Sequence, residues 1–313
     1  MKTMMTLAEV TKLTEETARQ YLESLLWPDG PVCPHCKGKN ATRIGGGNVR
    51  PGLLMCNGCR RQFTVTVGTI FEDSHIPLRS WIIAFQMMVA SKKGVSAKQI
   101  QRQLGFGSYS TAWFMCHRIR YAMENGPLTE LLKGTVECDE TYVGGKPRPG
   151  TGLHKRGRGT SKAPVMALVE RKGNVRARAL GDVTAKTLKG AIRETIDRSA
   201  AIITDEFSSY SGIGKEFAGG HSFVRHNEGE YSVNGVNNNT AESFFSLLKR
   251  GVCGTFHHVS KTHLPRYCAE FEFRWNHRGV QDGERMEAAI RKAGGKRLIY
   301  KEPAQPNAGH TPD

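Results

Sequence analysis

The spacing of apolar residues divides the chain into a helical first part and a mixed second part. Thr6 to Leu26 (TLAEVTKLTEETARQYLESLL) has apolar residues at roughly helical spacing and is broken by Pro28-Asp29-Gly30-Pro31, which predicts one helical segment. Pro77 to Ser91 (PLRSWIIAFQMMVAS) is apolar enough to predict a core helix. Ser96 to Gly105 predicts a helix with a serine at its start and a glycine at its stop. Ser108 or Ser110 then caps a second helix through Ala122 that carries Trp113, Met115 and His117. Between the first two helical stretches, Gln62–Val67 alternates polar and apolar residues as a strand does.

From Gly134 the period changes to two. Val136–Val143, Ala163–Glu170 and Asn174–Leu180 predict strands, the last two joined by the hairpin turn Arg171-Lys172-Gly173. Thr184–Arg198 predicts a helix and Ala200–Thr204 a short buried strand. Three strands, a helix and a fourth strand predict an α/β layer on a mixed sheet. Thr240–Arg250 and Lys261–Arg278 again have helical spacing. In the second of these, Leu264, Tyr267, Phe271 and Trp275 form a core stripe, and Glu270 can pair with Arg274 at i+4. The end from Pro303 is polar and reads as frayed.

At 313 residues and roughly 150 residues per domain, two domains are expected. Mean hydropathy is −0.44, and no apolar run reaches about 18 residues, so an integral membrane protein is excluded. Met1–Glu9 lacks the apolar core of a signal peptide, so a cytoplasmic, nucleoid-associated location is expected. Lys and Arg number 45 against 29 Asp and Glu, a net charge of 45 − 29 = +16, which points to a polyanionic partner. The excess is concentrated. Ser74 to Met123 has no acid but holds Arg79, Lys92, Lys93, Lys98, Arg102, Arg118 and Arg120. Thr141 to Val169 has no acid and holds Lys146, Arg148, Lys155, Arg156, Arg158 and Lys162. Two such windows read as phosphate-contacting surface. The helix, glycine turn and helix within the first resembles a helix-turn-helix; the alternative is a plain helical hairpin between domains. Lys98, Arg102, Arg118, Arg120, Lys155, Arg156 and Arg158 are the candidate DNA contacts.

Four of the eight cysteines form two C-x-x-C pairs, Cys33/Cys36 and Cys56/Cys59, with nineteen residues between Cys36 and Cys56. Two knuckles at that spacing offer a four-sulfur zinc site. Disulfides fit poorly with a chain lacking a secretion signal, and a redox motif needs only one pair. Small strands around the knuckles make a zinc ribbon, which either binds DNA or braces the next domain. Cys116, Cys138, Cys253 and Cys268 read as ordinary buried thiols.

Asp139 lies mid-strand on the face shared with Glu137 and Thr141, and an acid there is costly unless it is paired or holds a metal. Asp205 follows the run Ile202-Ile203-Thr204, at the strand edge where open α/β sheets collect ligands; alone it reads as a solvated strand end. Glu242 three residues past Asn239 fits a capping box, which taken alone is the better reading. Lys249 lies seven residues beyond it, on the same helical face. Histidines 257, 258, 263 and 277 complete no metal pattern.

Together these stretches resemble insertion-sequence DDE transposases of the ISXO type, in which a zinc ribbon precedes an RNase H-like catalytic domain. The resemblance rests on Cys33–Cys59, on Val136–Lys146 (VECDETYVGGK) and on Asn239–Gly251 (NTAESFFSLLKRG). Gly254–Ser260 (GTFHHVS) and Phe273–Arg278 (FRWNHR) agree as well, and the match covers roughly residues 20–280. It implies an RNase H-like mixed sheet with flanking helices, after a small zinc ribbon and a helix-turn-helix-like segment. It divides the chain into an N-terminal helical segment (1–27), a zinc ribbon (28–72), a helical DNA-binding linker (73–133), a catalytic domain (134–285) and a basic, partly disordered tail (286–313). Asp139 would bridge two catalytic Mg²⁺ ions (or Mn²⁺), with Asp205 and Glu242 each holding one; Lys249 would contact phosphate. Glu137, Glu270 and Glu272 are second-choice ligands. The zinc at Cys33, Cys36, Cys56 and Cys59 would be structural. The implied partner is duplex DNA, as terminal inverted repeats and as target, bound by a homo-oligomer away from any membrane. The rivals are a metal-dependent nuclease without strand transfer and a non-enzymatic zinc-ribbon regulator.

Overall fold

The computed structural model describes residues 5–126, 129–144, 162–224 and 237–299. The first helical segment is two helices, α1 (Leu7–Val10) and α2 (Glu15–Leu26), rather than one. Thr14 causes the break: its hydroxyl accepts from Thr17 N (3.2 Å) while its own amide donates to Thr17 Oγ1 (2.9 Å). This reciprocal box satisfies donors that a continuous helix would have satisfied through its backbone.

The ribbon follows as a small antiparallel sheet of β1 (Ala41–Arg43), β2 (Leu54–Cys56) and β3 (Gln62–Phe63). The strand expected over 62–67 stops at Phe63, because Val67 N donates to Thr64 O and Thr69 N to Thr66 O, closing turns in its place. Helices α3 (Leu78–Ala90), α4 (Ala97–Leu104) and α5 (Tyr109–Met123) come next, as expected. Gly105 ends α4 in the left-handed conformation (φ 69°), where a side chain would be strained.

A second sheet has β4 (Thr135–Val143) at its centre. Its order is β6-β5-β4-β7-β8, with β5 (Ala163–Glu170), β6 (Val175–Ala179), β7 (Ala201–Asp205) and β8 (His221–Val224). β5 runs antiparallel to both β4 and β6, and β7 and β8 run parallel to β4, which is the RNase H-like arrangement. β8 is an addition to the four strands expected. Helix α6 (Ala185–Thr195) covers one face through Leu188 and Ile192, against Val136, Cys138 and Leu168. Helices α7 (Asn239–Gly251) and α8 (Leu264–Asn276) cover the other, where Phe244, Leu248 and Phe271 meet Val165, Ala167 and Val169.

The tail expected from residue 286 begins inside a helix. α9 (Asp282–Arg291) buries Met286, Ala289 and Ile290, with Ala293 beyond it, in a core shared with Leu22, Phe85, Ile100, Met115 and Ile119. That apolar stripe is long enough to fill the gap between α2, α3 and α5, so it folds back instead of trailing. The segment 73–133 is thus part of a helical body closed by both ends of the chain. Residues 300–313 lie outside the described residues.

Helices α5 and α8 are joined by buried ions. Arg120 donates to Glu270 Oε2 (2.6 Å), and Arg274 pairs with Glu270 Oε1 (2.9 Å). Glu270 is fully buried and Arg120 is 1% exposed, with its guanidinium 4.0 Å from the Tyr267 ring centre. Arg118 is buried too and donates to Ile70 O, Glu72 O and Leu298 O. The expectation that Arg118 and Arg120 touch DNA is therefore corrected: their donors are spent inside the protein. Glu272 is likewise structural, accepting from Ala177 N (2.9 Å). Removing one member of a buried ion group strands the others. Arg120→Ala is expected to cost about 3–5 kcal/mol, read as a lowered thermal midpoint, whereas exposed Lys98→Ala should stay within about 0.5 kcal/mol.

Candidate active site and zinc module

In β4, odd-numbered residues face α7 and α8, because Ala167 and Val165, their β5 partners, belong to that core. Parallel pairing of β4 with β7 sets Thr135 beside Ala201, Val136 beside Ile202 and Glu137 beside Ile203. Carried two residues past the paired stretch, the same offset aligns Asp139 with Asp205 on the adjacent strand, facing the same way. α7 closes the third side and carries Glu242 in its first turn.

The field at Asp139 records this convergence. Its carboxyl is raised from the usual range to about 7, first by burial and then by the charges of Glu140, Asp205 and Glu242, against the Glu140 N–H that lowers it. Cys138 behind it is pushed well above an ordinary thiol, first by burial and then by Asp139, Glu137 and Glu140. Asp139 Oδ1 accepts from Glu140 N (2.7 Å) and Asp205 Oδ1 from Phe207 N (3.1 Å). Each keeps its other oxygen free of protein donors among the described residues. Glu140 is held to one side by the Tyr210 hydroxyl (2.6 Å). Acids crowded this way, with no basic side chain paired to Asp139, Asp205 or Glu242 among the described residues, suit a divalent cation. Their oxygens are not drawn into a closed cage. Among the described residues, the four cysteines are the one cluster tight enough to hold a metal as they stand.

The capping-box reading of Glu242 does not hold. α7 starts at Asn239 with Asn238 as its N-cap, and no side chain of either residue or of Glu242 caps it. The first-turn amides of Thr240 and Ala241 donate instead to Glu137 Oε2, at 2.8 and 3.0 Å. Glu242 is left exposed and free to face Asp139, and Lys249 two turns on is exposed as well. Glu137 is fully engaged as a cap, which removes it as a metal ligand; Glu270 and Glu272 are removed by their ion pairs. A buried acid six residues before a strand's end gives no sign in sequence that it serves a helix a hundred residues away.

The ribbon has two matching knuckles. Lys37 N donates to Cys33 O and Arg60 N to Cys56 O, both at 2.9 Å, with Lys37 and Arg60 in the left-handed region (φ 63° and 56°). Each turn aims two sulfurs inward. Cys33 and Cys59 Sγ are 3.7 Å apart, Cys36 and Cys56 Sγ 3.5 Å, and none forms a disulfide. Tetrahedral zinc at about 2.3 Å from each sulfur needs edges of about 3.8 Å, so the donor set fits. The module is braced: Trp27 packs edge-on to Phe63 (5.8 Å between centroids), and Glu23 on α2 pairs with Arg43 on β1 (2.7 Å). Of the other cysteines, 116, 138 and 268 are buried as expected, but Cys253 is exposed.

Lys98 and Arg102 on α4 are exposed, as are Arg79, Lys92 and Lys93. The first turn of α5 also lies open, with Tyr109 48% exposed beside Ser110, before the helix dives into the core at Ala112. Lys155, Arg156 and Arg158 fall outside the described residues.

Comparison with known proteins agrees with this layout. An ISXO2-like transposase domain matches residues 131–276 and a transposase zinc-ribbon domain residues 13–62. An uncharacterized protein in transposable element ISH50 of Halobacterium salinarum is 30% identical over 276 residues, covering 84% of this chain and 92% of its own. The chain belongs to the ISXO2-like transposase family. Among solved structures, the Mos1 strand transfer complex gives 13% identity over 68% of this chain and 74% of that chain, with a TM-score of 0.27. A pre-cleavage Mos1 transpososome gives 14% over 67% and 78%, with a TM-score of 0.24. Overlap that low leaves the fold assignment resting on the strand order itself. For this transposase no helix among the described residues is long and apolar enough to cross a membrane.

The ribbon makes a direct prediction. Purified protein is expected to contain one zinc per chain, and Cys36→Ser to lose it by metal analysis with unfolding of the 28–72 module. Unchanged zinc in that variant would refute the four-sulfur site.

Proposed function

We propose that this transposase cuts DNA at the ends of an insertion sequence and transfers the freed 3′-OH into target DNA, with Asp139, Asp205 and Glu242 as its metal-binding acids. The observation that carries the reading is the β4–β7 register, which sets Asp139 and Asp205 on adjacent strands beside the helix whose first turn presents Glu242. Mg²⁺ or Mn²⁺ held there would supply activation of the attacking hydroxyl and charge neutralisation at the leaving oxygen. The chain's part is to aim three carboxylates at one place. The Glu140 and Phe207 amides each fix one oxygen of Asp139 and Asp205, leaving the other for a ligand. Asp139, central on β4, would hold the metal together with Asp205 and Glu242. Lys249, exposed on the helix that presents Glu242, is assigned to a phosphate near the scissile bond.

Zinc in the Cys33, Cys36, Cys56 and Cys59 site serves folding, since the ribbon's core is little more than Leu54, Phe63 and the cysteines themselves. Duplex DNA is assigned to the acid-free face of α4 and the open first turn of α5, with Lys98 and Arg102 on phosphates. The segment holding Lys155, Arg156 and Arg158 adds a second basic contact. Both DNA ends must be engaged for joining, which calls for a homo-oligomer on DNA.

Two experiments test this. On a duplex carrying the element's own terminus, with Mg²⁺, Asp139→Asn and Glu242→Gln should both fold and bind DNA yet lose cleavage and joining. Glu242→Gln cutting at a rate comparable to wild type would remove the third acid, and cutting without joining by the wild type would leave a nuclease. Separately, Lys98→Ala with Arg102→Ala should weaken binding and reduce the slope of log K against log salt by about two. An unaltered slope moves the DNA surface elsewhere.

A further inference from the structure

Glu137 is an acid two residues from Asp139, on the same face of β4, and it is fully buried. A buried carboxylate is tolerated only when its lone pairs are filled. Here they are. Oε2 accepts from Thr240 N (2.8 Å) and Ala241 N (3.0 Å); Oε1 accepts from Thr240 Oγ1 (3.0 Å) and Arg171 Nε (2.8 Å). Two oxygens with about four acceptor sites thus receive four donors, which leaves nothing for a cation. Arg171 extends the same grip by donating to Asn237 O (2.9 Å), just ahead of the helix.

The recipients of this grip are the first-turn amides of α7, which an N-cap side chain ordinarily satisfies. Asn238 occupies the N-cap and offers no side-chain bond; its amide group is buried without a partner among the described residues. The capping is done from the central strand instead. A negative carboxylate is also the right charge for a helix N-terminus. The residue next after Ala241 is Glu242. At the far end of α7 a Cβ on Gly251 would overlap the Phe271 ring, so α7 can sit close against α8 there. Both ends of α7 are therefore pinned, the first end through Glu137.

We propose that Glu137 is the positioning residue for the third acid: it locks the start of α7 to β4 and thereby holds Glu242 against Asp139, touching neither metal nor DNA. This rests on the acid-site reading above. Outer contacts that orient metal ligands change metal affinity by about 10–100-fold when lost. Glu137→Gln keeps the size but turns one acceptor into a donor facing donors.

The test titrates Mn²⁺ into the full-length protein without DNA, by calorimetry, alongside thermal unfolding and amide exchange of residues 239–242. For Glu137→Gln the expected result is a folded, zinc-loaded protein with Mn²⁺ affinity down about 10-fold or more and faster exchange at Thr240 and Ala241. Glu137→Asp, which keeps the charge, should recover part of both, and it stands in if the glutamine variant fails to fold. Leu248→Ala, which loosens α7 from its buried side, controls for lost stability alone. Unchanged Mn²⁺ affinity and exchange in folded Glu137→Gln overturn the proposal, as does an equal drop in Leu248→Ala. Should wild type and Asp139→Asn bind Mn²⁺ alike, the acid-site reading fails. The exchange data then decide the role of Glu137, with retained protection at Thr240 and Ala241 overturning it.

Discussion

A carboxylate sealed from water needs cations placed around it with little tolerance, and Glu270 shows how much of this molecule answers to that need. Arg120 comes to it from α5 and Arg274 from one turn further along α8, and Tyr267 and Phe256 stack on the Arg120 guanidinium. The group binds the helical body to the layer that covers the five-stranded sheet. Replacing all its members by apolar residues could leave stability intact; removing one could not. The relative placement of α5 and α8 is thereby specified, and with it the distance between the basic face of α4 and the acids of β4.

The same economy governs the sheet. Odd-numbered residues on the α7 side of β4 have distinct fates within five positions: Glu137 is spent on a helix terminus, Asp139 is left half-buried with a free oxygen, and Thr141 is buried. Burial first, and then crowding with Glu140, Asp205 and Glu242, raises Asp139 toward neutrality. A divalent cation held as proposed would offset this rise. Positive charge, by contrast, is exposed on α4 and the neighbouring surface, at Lys98, Arg102, Arg79, Lys92 and Lys93.

How much of this was legible in the linear chain depends on the range of the interaction. The cysteine knuckles are local, and their spacing alone sufficed. Asp139 and Asp205 were legible as candidates because strand alternation and the end of a buried strand are local patterns. Glu242 looked like a capping box for the same local reason, and that reading failed because the true cap comes from Glu137, on another element. Arg118 and Arg120 looked like surface because acid-free windows resemble DNA-binding faces. Their partners, Leu298 and Glu270, lie 180 and 150 residues away.

By itself the sequence determined the periods, hence the helices and strands, and the residue types that can bind zinc, phosphate or a hard cation. Those follow from chemistry within a few residues. Only the tertiary structure decided which charges are spent. β8, the folding back of α9, the cap on α7 and the burial of two arginines all depend on which distant group fills a vacant hydrogen-bonding or apolar position. A one-dimensional pattern states that such positions exist, and the packed chain alone settles what fills them.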